Sequence, residues 1–429
     1  MQDQEYDDSG KVSSELFVNS LVYKCPDALS LATSRTYCRE YFMKNNYGPL
    51  DTARIDVSSG SSYVDPENSY LTFRVKLTTS DLVDGDTANF ATNSAMALIS
   101  DVLIRSKSGT ELCRVMNANQ WSRVTTLYSE SEKFLSTKGL TEGWAPTISP
   151  TTTDVVVSSD VWWRFTLPLK RLAPFFAPVG KTLLPASIVS GMSMELTFAD
   201  YRTALHDCDA TPAASTITGY EIKDISLVFD AVTLTDDTQK VLNLEAAKNG
   251  LDFVTDSVYV SINDQPSLST NLSAQVRKAV SQAKGAFTVV QSAANKYNLK
   301  ADSFASMPWD TLVGQYRLGS LYIPQQPLSD PTRDGVETYT QLQSYWDVNK
   351  HSHMENYVSL STFRQWAAIA PVSLERNQAL ELSALPINNS RVLEYLAEFE
   401  SSPLQRSVSV FLIYTQVAKA FIDNVAVTI

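Results

Sequence analysis

The chain has 429 residues, 44% of them hydrophobic and 19% charged, and carries a formal net charge of −12. That length calls for two or three domains rather than one core, and the composition excludes a disordered chain. The acidic balance, with no basic patch or tail, argues against sequence-specific nucleic-acid binding.

Residues 1–49 read as an arm. Its first ten residues, MQDQEYDDSG, form an acidic solvated tail, while Leu16 to Asn46 holds enough Tyr, Leu and Phe to dock on something. From Thr52 the pattern becomes β. Tyr70 to Thr78 alternates cleanly, with Leu71, Phe73, Val75 and Leu77 on one side and Thr72, Arg74, Lys76 and Thr78 on the other. Two strands at 98–105 and 111–116 flank the turn Ser106-Lys-Ser-Gly109. The period then becomes helical over 117–128, where Trp121, Val124, Leu127 and Tyr128 share a face. The Thr- and Pro-rich stretch 141–153 reads as an exposed loop, and 162–169 as a strand that Pro168 ends. Met192, Met194, Leu196 and Phe198 alternate inward, and the β-rich run 222–234 closes this half.

A short helix follows. Asp236 with Gln239 resembles a capping box, Val241, Leu242, Leu244 and Ala247 supply a helical stripe, and Gly250 suits a helix C-terminus. The second half then repeats the plan: strands at 253–262, 274–280 and 286–291, a strand pair or bent strand at 312–323 ending at Pro324, and a helix over 337–348. That helix puts Tyr339, Leu342, Tyr345 and Trp346 together. Late strands at 374–383, 392–398 and 408–417 precede a β-like end at 421–429. Runs 225–234 and 408–417 are apolar on both faces, as in strands covered on both sides. The repeat is one of order and not of letters. It implies an all-β protein with a β-sandwich in each half, each long enough for an eight-stranded jelly roll with generous loops.

Chemistry-bearing residues are few. Cys25, Cys38, Cys113 and Cys208 are scattered without CxxC spacing, which suggests a reduced, intracellular origin. Neither a secretion signal nor a membrane span is expected, so the sequons at Asn271 and Asn388 are chance occurrences. His206-Asp-Cys-Asp209 combines metal-ligand types, but stands in a loop with no second ligand pair nearby. His351 and His353, with Glu355, alternate but lack a third partner. Ser58 to Ser62 is a turn rather than a phosphate cradle, and Asp236-Asp237 serves better as a helix start than as an acid/base pair. No nucleophile elbow, P-loop or dinucleotide fingerprint occurs, so no catalytic, cofactor-binding or metal residue is assigned and no enzyme activity is expected. Trp162, Trp163 and Trp346 could form a sugar platform. Trp163, in register with Phe165 and Leu167, reads as core, and Trp162 as a partner contact or a loop-covered residue.

Several stretches, taken in order, resemble a known family. Tyr47-Gly-Pro-Leu-Asp-Thr-Ala-Arg-Ile-Asp56 followed by Asn68 to Val75, then Ile99 to Gly109 leading to the Trp121 helix, are similar to the first roll of viral double jelly-roll major capsid proteins. Tyr316-Arg-Leu-Gly-Ser-Leu-Tyr-Ile-Pro-Gln-Gln-Pro327, Leu385 to Arg391 and Val417 to Asn424 resemble their second roll. The likeness runs over about 45–429 and is nearest to Polinton-like viruses and adintoviruses, in the lineage that includes virophages and adenovirus-type hexons. Tyr322-Ile-Pro324 stands where the lineage often carries Tyr-Tyr-Pro.

The resemblance implies two tandem eight-stranded antiparallel jelly rolls with short helices in loops, divided as an arm 1–49, a first roll 50–235, a connecting helix 236–250 and a second roll 251–429. It also implies a homotrimer forming a pseudo-hexameric capsomer of an icosahedral double-stranded DNA virus shell, assembled inside the host cell and located in the virion. Neighbouring capsomers, penton and minor capsid proteins would be its partners, with an internal membrane or separate core proteins mediating contact with the genome. Two other classes remain open from the residues alone. One is a carbohydrate-binding or adhesive β-sandwich attachment protein; the other is a glycosidase with two acids across a cleft.

Overall fold

The computed structural model describes residues 31–429 apart from 59, 81–86, 93, 146–156, 179–181, 208–214, 307–310, 330–334, 351–357, 376–383, 401–403, 422–424 and 429. The first half is built on β1 (Ala32–Tyr41), β2 (Thr52–Asp56), β3 (Tyr63–Thr79), β4 (Ile99–Arg105), β5 (Glu111–Val115), β6 (Trp163–Pro168), β7 (Ser193–Phe198) and β8 (Ile217–Leu234). These form two antiparallel sheets with the orders β1-β8-β3-β6 and β2-β7-β4-β5. The second half is built on β9 (Leu251–Gln265), β10 (Asn271–Val276), β11 (Val280–Ser292), β12 (Thr311–Leu318), β13 (Leu321–Ser329), β14 (Ala370–Ser373), β15 (Leu393–Phe399) and β16 (Arg406–Ala420). Its sheets run β9-β16-β11-β14 and β10-β15-β12-β13. Each strand of the second half therefore occupies the place held by the strand eight earlier in the first. The repeat of order is a repeat of topology, a double jelly roll.

Alternation explains the first core. Leu71, Phe73, Val75 and Leu77 of β3 face inward toward Met194, Leu196 and Phe198 of β7, and all are buried. Among the described residues, three helices of ten or more residues stand outside the sheets: α1 (Ala118–Ser129), α2 (Asp236–Lys248) and α3 (Val336–Lys350). The second roll has a smaller core of its own around Val280, Ala286, Tyr316, Tyr395 and Leu412. Tyr345 of α3 lies so close on β11 that a Cβ on Gly285 would come within 2.5 Å of its ring, so only glycine fits there.

Several expectations need correction. The arm does not extend to 49: β1 pairs with β8 (Tyr37 opposite Asp230), and Asn46–Tyr47 pairs with the same strand. Residues 1–30 lie outside the described residues. The strand expected over 274–280 is two strands, β10 ending at Val276 and β11 starting at Val280. β13 does not stop at Pro324 but continues to Ser329, because it is an edge strand on which proline removes no ladder bond. Gly139 to Glu142 is a helical turn, and Glu142, Trp144 and Ala145 are buried rather than exposed in a loop. The late strand begins at Ala370 instead of Leu374, and 376–383 fall outside the described residues. The cap of α2 is Thr235, not Asp236: Gln239 N–H donates to the Thr235 carbonyl, while Asp236 and Asp237 sit in the first turn, where negative charge suits the helix dipole. Gly250 does end α2, with φ +76° and its N–H donating to the Glu245 carbonyl at 3.2 Å.

Candidate functional site

Little of the candidate chemistry converges. His206 and Asp207 are buried where the two halves meet. Asp207 receives Lys300 Nζ at 2.9 Å, and its backbone N–H donates to the Leu299 carbonyl at 2.8 Å. Cys208 and Asp209 lie outside the described residues, as do His351, His353 and Glu355. Among the described residues no three His, Cys, Asp or Glu side chains gather as metal ligands. Ser58 turns its N–H onto the Glu40 carboxylate at 2.9 Å, so this turn carries an internal contact. Asp237 is exposed and lies 3.6 Å from Lys240, a pair one helical turn apart.

Trp163 parts from expectation. Trp163 is 40% exposed although it alternates with buried Phe165 and Leu167, because it starts an edge strand. Its indole N–H donates to Ser158 Oγ at 3.4 Å. Trp162 is half-buried with Lys223 Nζ 3.6 Å above its ring. The side chain of Trp346 lies outside the described residues.

What the residues do build is a joint. Helix α1 is amphipathic in sequence, yet ten of its twelve residues are buried, including Asn119, Gln120, Ser122 and Arg123. The reason lies in the second roll. Trp121 stacks on Phe287 of β11 at 5.8 Å between ring centroids, and Phe287 stacks on Phe411 of β16 at 4.8 Å. Arg123, fully buried, donates from Nη2 to the Trp366 carbonyl at 3.2 Å and lies 5.6 Å from the centroid of that indole. Burial lowers its pKa, and nearby Asp302 opposes the shift. Tyr128 donates its hydroxyl to the Ala367 carbonyl. Beside the helix, Phe175 meets Phe253 edge-on at 5.6 Å, and Gln416 of β16 donates to the Leu112 carbonyl on the edge of β5. This explains why β16 is apolar on both faces. Val408, Val410 and Leu412 point into the second roll's core, and Phe411 points into the joint.

A half-open groove of about 480 Å³ remains where β5 runs beside β9, lined from both rolls by Cys113, Arg114, Ser257, Tyr259, Lys278 and Tyr414. Burial pushes the Cys113 thiol up to about 12, which keeps it protonated and unreactive at neutral pH. The groove is a seam of the joint. Sequence reasoning missed Arg123 and Gln416. Neither breaks its local pattern, and the only signal was the mismatch between a polar helix face and a two-sided apolar strand.

The open surfaces complete the description. On β1, Tyr37 and Tyr41 are 65% and 67% exposed, and Val241 and Leu244 on α2 are similarly bare. Arg35 pairs with both Asp65 and buried Asp230 across the face of the β1-β8-β3-β6 sheet.

No protein-family model and no curated protein sequence matches the chain. Solved structures do match along nearly its whole length. A chain of the PBCV-1 virus capsid is similar at 10% identity, with a TM-score of 0.63, over 95% of this chain and 99% of that one. The Faustovirus major capsid protein is similar at 7% identity and a TM-score of 0.61 over 93% of each chain. The mavirus major capsid protein is similar at 10% identity and a TM-score of 0.54, over 95% of this chain and 92% of that one. Identities this low carry the fold and not the letters, and the fold of this chain is that of the viral double jelly-roll major capsid proteins.

Proposed function

We propose that this chain is the major capsid protein of an icosahedral double-stranded DNA virus, a structural protein and not an enzyme. One observation carries the reading: the likeness to the PBCV-1 capsid chain spans 95% of this chain and 99% of that one, so both rolls and the link between them are shared. The mechanism is geometric. Two rolls of one topology, locked by the α1 joint, form a two-lobed subunit, and three copies present six similar rolls as a pseudo-hexameric capsomer. Such capsomers meet neighbours, pentons and minor capsid proteins in the virion shell after assembly inside the host cell. The chain divides at α2, with one roll closing at about 235 and the next opening at 251. With a net charge of −12, direct contact with the genome falls to other components, such as core proteins or an internal membrane.

The carbohydrate-binding reading draws on exposed Trp163, but Lys223 occupies one face of neighbouring Trp162, which leaves a poor platform for a sugar. Size-exclusion chromatography with light scattering and negative-stain microscopy test the choice. Trimers or shells are expected; a stable monomer with glycan affinity overturns the proposal.

A further inference from the structure

We propose that the first roll carries a binding site for a phosphate monoester group, built from Arg164, Arg74 and Lys223. The site goes beyond the capsid reading and does not depend on how copies of the chain assemble.

The site is a row across three strands. On β6, β3 and β8, neighbours in one sheet, Arg164 stands directly opposite Arg74, and Arg74 directly opposite Lys223. Residues paired in this way point to one face. Here it is the outer face, because the intervening Phe73, Val75, Phe165 and Ile222 fill the core. The sheet spacing sets the two ends of the row about 10 Å apart. Like charges directly opposite each other repel and weaken a sheet. The adjoining rows avoid that conflict: Thr72 faces Thr166 and Ser226, and Lys76 faces Glu221.

The fold offsets this row only in part. A bulge after Lys223, with Asp224 at φ +53°, turns that carboxylate back toward Arg74, whose Nη1 it meets at 3.5 Å. Both side chains are open to water, at 39% and 51% exposure, so the pair is weak. Lys223 Nζ rests 3.6 Å above the Trp162 ring, and an indole face attracts an ammonium without neutralising it. Arg164 is exposed and forms no ion pair among the described residues. Three cations against one carboxylate leave an excess of two positive charges.

Charge and size then select the ligand. A phosphate monoester carries about −1.5 to −2 at neutral pH and presents three acceptor oxygens. That matches both the excess and the guanidinium forks of Arg164 and Arg74. The whole chain has a net charge of −12, so a long polyanion is repelled wherever it overruns the row. A compact group is not, because the row is about one screening length across and its own field dominates there.

Titration calorimetry of the full chain with glycerol 3-phosphate, at neutral pH and constant ionic strength, tests the site. The unmodified protein should bind. Affinity should fall about tenfold or more in Arg164→Gln, and less in Arg164→Lys, which keeps the charge but loses the fork. In phosphate-free buffer Arg164→Gln should melt no lower than the unmodified protein, because it removes a repulsion and touches no core. Glycerol 3-phosphate should then raise the melting temperature of the unmodified protein and leave that of the variant where it was. Sodium chloride at the same ionic strength is the control, since plain screening also relieves the row. A melting shift no larger than chloride produces, or equal binding by Arg164→Gln and the unmodified protein, overturns the proposal. Inorganic phosphate that binds where glycerol 3-phosphate does not overturns the monoester assignment. The capsid reading stands or falls separately, on the trimers and shells that test it.

Discussion

Helices α1 and α2 make opposite bargains with the two rolls. α2 is the covalent link between them, yet only Ala246 on it is buried, and Val241 and Leu244 face solvent. α1 belongs wholly to the first roll in sequence, yet it is buried almost all round because its far side is the second roll. Chain connectivity therefore says little about what fixes the rolls relative to each other. The packed wedge does that, and the link is closer to a tether. A stripe of Val241, Leu242, Leu244 and Ala247 reads the same whether or not anything covers it.

This contrast can be broken at either helix. The largest effect should come from Trp121→Ala, which removes the indole stacked on Phe287 and leaves a cavity in the joint. A loss of about 3–5 kcal/mol is expected in denaturant unfolding, with hydrogen exchange rising first in β11 and β16. An unchanged midpoint would mean that the wedge does not hold the rolls. Tyr128→Phe should cost less, about 1–2 kcal/mol, by leaving the buried Ala367 carbonyl without its donor. A six-residue Gly/Ser insertion after Asn249 should change stability by less than about 1 kcal/mol, because a longer loop adds only slowly to closure entropy. A large drop there would return the controlling role to α2.

The smallest effect depends on pH. Glu142 is buried beside Arg171, which also reaches Glu130 at the end of α1. Burial raises the Glu142 pKa, and the attraction of Arg171 offsets only part of that. A carboxyl held higher in the folded than in the unfolded state favours unfolding once pH passes the ordinary carboxylate range, and has no such effect in acid where both states are protonated. Glu142→Gln should therefore stabilise slightly at neutral pH, with the gain vanishing as pH falls below the unfolded value. Thermal melts at both ends of that range read the difference.

Much of the architecture is legible in the sequence. Strict alternation in β3 and β7 marks half-buried strands, and the two-sided runs in β8 and β16 mark sheets covered on both faces. Edges were not legible. β1 reads Thr-Ser-Arg-Thr-Tyr-Cys-Arg-Glu, with exposed residues on both faces, so nothing in its hydropathy separates it from an arm. Trp163 fails for a related reason, since alternation assigns a face but not how far cover extends along an edge strand. The joint was invisible because Arg123 and Trp366 are 243 residues apart, and each looks ordinary in its own window.

The stacked pair Phe287 and Phe411 has a consequence for biosynthesis. These rings lie on the back of the second roll's sheet, outside its own core, and the indole packed on both of them is Trp121, which is nearer the N-terminus. A ribosome delivers that cover first. By the time β11 and β16 emerge, α1 and the first roll are already available to receive them, so the nascent second roll closes onto a waiting template. Reversing the order of the two rolls in the gene would instead leave both aromatic rings unsheltered through half of translation, and aggregation of the nascent chain would be the expected result.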